Sequence, residues 1–225
     1  MSTFPKERGK TLHARAPVFY YITDRHQLSS SSAIALLEQI ESAVRWGVDY
    51  IQLREKDLSD AQLFELTKHA VRLARAGSCK ILVNGRLDIA LAARAHGLHL
   101  PAMGIQPADL KPFLPRGFWL GASTHSLREA RRAAAAGVDY ILFGPVFRTE
   151  SKIRYGEPLG LQRLKHVCSV LPVPVIALGG IRPDVISRIV GAGAAGIAGI
   201  SMFQKDLDHS SREQLLMGCG APGDA

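Results

Sequence analysis

From Val18 to Ser201 the chain alternates between two kinds of segment. Short apolar runs occur at VFYYIT (18–23), VDYIQLR (48–54), KILVN (80–84), GLHL (97–100), FWLGAS (118–123), VDYILFG (138–144), PVIALGG (174–180) and AGIAGIS (195–201). Their β-branched and aromatic content and their flanking Gly or Pro residues predict strands. Most are continuous rather than alternating, the pattern of parallel strands covered on both faces. Between them lie amphipathic stretches with helix start and stop signals. Residues 31–46 open on a serine cluster and close at Gly47. Residues 59–76 carry Leu63, Leu66, Ala70, Leu73 and Ala74 at near 3–4 spacing and end at Gly77. Segments 126–136 and 182–190 close at or near Gly137 and Gly191, and Ser126 with Glu129 forms an S-x-x-E capping box. Segments 87–95, 107–114 and 159–170 fill the remaining gaps.

Right-handed crossovers between parallel strands permit an open doubly wound sheet or a closed eightfold barrel. The near-copies GVDYIQL (47–53) and GVDYILF (137–143) repeat one helix-stop-then-strand unit. That echo favours the barrel, so the expected fold is a single-domain α/β (β/α)8 TIM barrel over 17–205. Residues 1–16 are expected to be a disordered basic tail and 206–225 a second tail. The 225 residues, 47% apolar, suffice for a large core. No apolar run reaches the ~18–20 residues that cross a bilayer, so no membrane partner is expected. The polar start of the chain lacks a secretory signal's apolar region. Cys79, Cys168 and Cys219, odd in number and far apart, read as reduced thiols of a cytoplasmic protein.

Charge narrows the ligand class. Lys+Arg 28 against Asp+Glu 20 gives +8, which suits a phosphorylated metabolite or a nucleic acid. Part of the excess lies in the N-terminal tail and no recognition motif interleaves basic and aromatic residues, so nucleic acid is not expected. In a TIM barrel, chemistry sits where strands end. The polar residues there include Gln52, Arg54 and Lys56, then Asn84, His99, Ser123 and His125, and finally Thr149, Ser151, Lys152, Gly180 and Ser201. The glycine turns 179–180 and 196–201 precede potential helix starts in the last two units, where barrels commonly bind phosphate. Arg54 and Lys56 alternate and should share a side, with Glu55 opposite. His125 has the side chain best matched to proton transfer near neutrality. His99 reads as a hydrogen-bonded wall residue.

YYITDR, QLREK, GLHL, GASTHS, GVDYILFGPVFRTESK, PVIALGGI and GAAGIAGIS together resemble the thiamin phosphate synthase and TenI family, over roughly Val18 to Met202. The resemblance implies a phosphorylated thiazole or pyrimidine as partner. It implies that Gln52 and Ser123 face a pyrimidine, and that Arg54, Lys56, Asn84 and Lys152 hold pyrophosphate. Thr149, Ser151, Gly180, Ile200 and Ser201 would then bind thiazole phosphate. Synthases of this type read NDR after strand three and DGVHLGQ around strand four, two aspartates holding magnesium. Here those segments are Asn84-Gly85-Arg86 and His96-Gly97-Leu98-His99-Leu100-Pro101, without either carboxylate. A hard divalent ion wants carboxylate oxygens. If metal supplies roughly 3–5 kcal/mol of leaving-group stabilisation, losing it costs about two to four decades in rate. TenI-type members isomerise a thiazole carboxylate phosphate by moving a proton, and their histidine matches His125. The expectation is therefore a TenI-like thiazole tautomerase with His125 as acid and base and no cofactor. A synthase, with magnesium, and a silent binder of a thiamin intermediate stay open, as does a homodimer.

Overall fold

The computed structural model describes residues 17–75, 77–149 and 157–204. Eight parallel strands close into a barrel in sequence order. They are β1 (Val18–Ile22), β2 (Tyr50–Leu53), β3 (Lys80–Asn84), β4 (Gly97–Leu100), β5 (Trp119–Thr124), β6 (Tyr140–Phe143), β7 (Val175–Leu178) and β8 (Gly196–Gly199). Closure comes from β8 pairing back onto β1, with Val18 opposite Gly196 and Tyr20 opposite Ala198. The helices between them are α1 (Ala33–Trp46), α2 (Asp60–Ala74), α3 (Leu87–Ala92), α4 (Pro107–Leu110), α5 (Leu127–Ala135), α6 (Gly160–Val170) and α7 (Ile186–Gly191). Each apolar run expected to be a strand is one, and each helical stretch holds a helix, shortened by a few residues. The expected tails, residues 1–16 and 206–225, lie outside the described residues, as do Ser151, Lys152 and Cys219.

The helix boundaries follow from local chemistry. The Ser32 hydroxyl caps α1 by accepting from Ala35 N, and Gly47 ends it at φ +94°, a left-handed conformation that glycine takes without a Cβ clash. Ser59 and Gln62 close a reciprocal capping box on α2. The expected box on α5 forms in altered form. Ser126 Oγ accepts from Glu129 N at 3.2 Å, but the Glu129 carboxylate reaches the backbone N–H of His125, at 2.7 Å.

Strand alternation sorts the core into two layers. Outward residues such as Phe19, Ile51, Ile81, Leu120, Ile141 and Ile197 pack beneath the helices. Inward residues Tyr20, Tyr50, Leu82, Trp119, Tyr140, Leu142 and Ile176 fill the barrel. Tyr50 lies 5.8 Å from Tyr20 and 5.4 Å from Trp119, ring centre to ring centre. Four large aromatics fit inside because other inward positions carry no side chain. A Cβ at Gly121 would strike the Tyr140 ring, and one at Gly196 would strike the Val18 backbone. Gly121→Ala should therefore destabilise the barrel by about 1–3 kcal/mol through overpacking, measured by urea denaturation. An unchanged midpoint would show that Tyr140 has room to move.

Candidate functional site

The barrel register sets Gln52, Asn84, His99 and Ser123 on inward positions, Asn84 opposite His99 and His99 opposite Gly121. Three of the four belong to one hydrogen-bonded chain across the interior. Gln52 Nε2 donates to Tyr20 Oη at 2.9 Å. Tyr20 Oη lies 2.9 Å from Tyr140 Oη. His99 Nδ1 is 3.1 Å from Tyr140 Oη, and its Nε2 is 2.8 Å from Ser123 Oγ. His99 is 1% exposed, and burial pushes its imidazole down to about 3, with Arg54 adding a smaller push. It is neutral at physiological pH. As expected it is hydrogen-bonded, but it joins the floor of the mouth to Ser123 rather than merely walling it. Tyr20 and Tyr140 read in the sequence as apolar strand residues. Their signal was the phenolic oxygen, which needs a partner wherever an inward strand position buries it.

Above this floor the charges are sorted. Glu55 is buried and accepts from both the backbone and the guanidinium of Arg25, while Arg54 is half-buried and Lys56 exposed. That is the expected division of the three residues. The Arg54 side chain has no hydrogen bond or ion pair among the described residues; its backbone N–H goes to Thr23 Oγ1 at 3.0 Å. By contrast Asp57 is held by Arg25 and His26, and the Arg25 guanidinium keeps its carboxyl far below the usual range. Asp60 and Asp88 are both held by Arg86.

On the opposite side, the chain after β6 lies against the turn after β7. Val146 N bonds Leu178 O at 2.9 Å and Phe147 N bonds Gly179 O at 3.0 Å. Gly179 and Gly180 sit at φ +97° and +64°, and a Cβ on Gly180 would meet the Arg148 carbonyl. This brings the segment leading to Thr149 beside Gly180. Ile200 is half-buried against the interior layer, and Ser201, exposed, starts a 3-10 turn over Ser201–Phe203. The two glycine turns thus flank the mouth.

His125 stands two residues beyond Ser123, past the end of β5. Its Nδ1–H is donated to the Gly144 carbonyl, and Glu129 grips its backbone. The other ring nitrogen, Nε2, keeps its lone pair in the neutral ring. No hydrogen bond or ring contact joins it to the His99 chain. It borders instead a cleft of about 400 Å³ against α6, shared with Phe143, Leu159, Arg163, His166 and Val167.

The pairing of positions 85 and 96 as one lost metal site needs correction. His96 precedes β4: its N–H bonds Ile81 O, and its Nδ1 accepts from Ile81 N at 2.9 Å. It therefore lies at the N-terminal end of the barrel, whereas Gly85 follows β3 at the mouth. The comparable loop after β4 is 101–106, which contains no acid either. Among the described residues no three His, Cys, Asp or Glu side chains are grouped to hold a metal ion. With the nearby acids Glu55, Asp57, Asp60 and Asp88 already bound by arginine, the residues do not fit a magnesium ion held by β3 and β4.

The buried imidazole has a pH consequence. Between a folded value of about 3 and an unfolded value near 6.5, the unfolded chain binds the extra proton, so stability is lost as pH falls below ~6.5. At pH 5 the loss is roughly 2 kcal/mol. Urea titrations at pH 7 and pH 5 should show that much more acid sensitivity in the wild type than in His99→Gln. Equal sensitivity would mean that the ring is not held neutral.

The profile of the family described as thiamine monophosphate synthase matches residues 19–203. The chain is 42% identical over 198 residues to a Geobacter sulfurreducens protein provisionally named a thiamine-phosphate synthase, covering 88% of this chain and 92% of that one. It is 38% identical over 200 residues to the thiamine-phosphate synthase of Chlorobium phaeobacteroides, covering 89% and 94%. A thiamine phosphate pyrophosphorylase structure from Pyrococcus furiosus superposes with a TM-score of 0.78 at 30% identity, over 90% and 95% of the two chains. By profile, sequence and fold, this chain belongs to the thiamine monophosphate synthase family of TIM barrels.

Proposed function

We propose that this barrel binds a phosphorylated thiazole of thiamin biosynthesis and moves a proton on it, with His125 as the group that takes and returns the proton. The observation that carries this reading is the state of His125: Nδ1 is committed to the Gly144 carbonyl, which leaves the Nε2 lone pair available just past the end of β5, two residues beyond Ser123. In the isomerisation, Nε2 removes a proton from a carbon of the non-aromatic tautomer. The C–H electron pair enters the ring, and the same proton is returned at the far end of the conjugated system. The reaction has no leaving group, so the missing carboxylates cost it nothing. The phosphate is assigned to Thr149, Ser151, Gly180 and Ser201, where backbone N–H groups and hydroxyls suit an anion. Ile200 would pack against the ring.

A second reading is coupling of a pyrimidine pyrophosphate with a thiazole phosphate. Two observations favour it: the names carried by the relatives, and the Arg54 side chain, which has no partner among the described residues and could take pyrophosphate together with Lys56, Asn84 and Lys152. Gln52 and Ser123 would then face the pyrimidine.

Two assays on the purified protein separate the readings. Isomerisation of thiazole carboxylate phosphate should occur without added metal, and His125→Ala should lower its turnover about 10²–10⁴-fold. Full turnover in that variant would remove His125 from the chemistry. Coupled product from pyrimidine pyrophosphate and thiazole phosphate, lost on Arg54→Ala, would establish the second reading. Tight binding of thiazole phosphate with no turnover in either assay would instead identify a silent binder.

A further inference from the structure

The buried chain from Gln52 to Ser123 has a direction. A phenol carries one proton and so donates once, and a neutral imidazole carries one N–H. Gln52 Nε2 donates to the Tyr20 oxygen at 2.9 Å. The proton of Tyr20 is then directed at Tyr140 Oη, 2.9 Å away. The proton of Tyr140 is directed in turn at His99 Nδ1, at 3.1 Å. With Nδ1 accepting, the imidazole proton resides on Nε2 and is donated to Ser123 Oγ at 2.8 Å. Ser123 keeps its own proton for the mouth. Burial keeps His99 neutral, so the doubly protonated ring that would break this order is not populated near pH 7.

The reverse order starts with the Gln52 carbonyl facing Tyr20 and ends with Ser123 donating inward to His99. At Ser123 it would leave the mouth only oxygen lone pairs. The two orders select opposite ligands, because an unmatched polar edge at a desolvated contact is rejected more strongly than a matched one is rewarded.

We infer that Tyr20 is a positioning residue. It relays the donor character of Gln52 through Tyr140, fixes His99 as the Nε2–H tautomer, and so presents the Ser123 hydroxyl as a donor to a heteroaromatic ligand bearing an acceptor nitrogen or carboxylate oxygen. This rests on the mouth being the substrate site but holds for either reaction proposed above. It also predicts preference for a ring whose nitrogen is unprotonated over the same ring carrying N–H at that edge.

The tautomer can be read directly by NMR of protein labelled with 15N-histidine, without ligand or turnover, so the result is separable from the outcome of the enzyme assays. Wild type should show His99 with its proton on Nε2; a proton on Nδ1 overturns the polarity. Tyr20→Phe should release the lock and let the Nδ1–H form appear. A signal unchanged from wild type would remove Tyr20 from the role. Tyr50→Phe alters a ring packed on Tyr20 but outside the chain and should leave the Nε2–H signal as it is. A shift equal to that of Tyr20→Phe would assign the effect to packing and overturn the relay.

Discussion

In a packed barrel interior a buried polar atom costs free energy unless it is hydrogen-bonded, and here inward side chains satisfy one another. The run Gln52–Tyr20–Tyr140–His99–Ser123 meets that requirement with contacts of 2.8–3.1 Å. It depends on strand register: a slip of one residue in β1 or β6 would turn Tyr20 or Tyr140 outward into the helix layer. It depends equally on Gly121, whose missing side chain leaves space for the Tyr140 ring. The same packing that fills the barrel therefore organises the floor of the mouth.

Charge is arranged by a related logic. Four acids near the first three strands are matched by arginines: Glu55 and Asp57 by Arg25, Asp60 and Asp88 by Arg86. Among the described residues, the Arg54 and Lys56 side chains, half-buried and exposed, have no such partner. A half-buried cation without a counter-ion is costly unless an anion joins it, which makes a phosphorylated ligand the natural complement. The matched acids are also poor metal ligands, since taking them from arginine would leave a partly buried guanidinium without its counter-ion. Family membership and this charge layout pull in different directions on the chemistry. Relatives are named as synthases, while the described residues after β3 and β4 offer no set of carboxylates for a metal ion.

Much of this was legible in the chain. The apolar runs and glycine stops marked eight units, because a parallel strand buried on both faces must be apolar throughout and a helix ending in a left-handed turn favours glycine. The sorting of Glu55 from Arg54 and Lys56 followed from strand alternation. The placement of position 96 did not follow from a motif match: a residue just before a strand and one just after it lie at opposite ends of a barrel, which separates His96 from Gly85.

The sequence by itself thus determined the number and type of elements and the inward and outward faces, since these depend on neighbours a few residues apart. Only the tertiary structure decided that two strand tyrosines join Gln52, His99 and Ser123, and that His125 borders a cleft outside that chain. Tyr20 and Tyr140 are 120 residues apart in sequence and meet at 2.9 Å. Local periodicity can say that each points inward, but which inward atoms meet is set by the stagger of all eight strands around the closed ring.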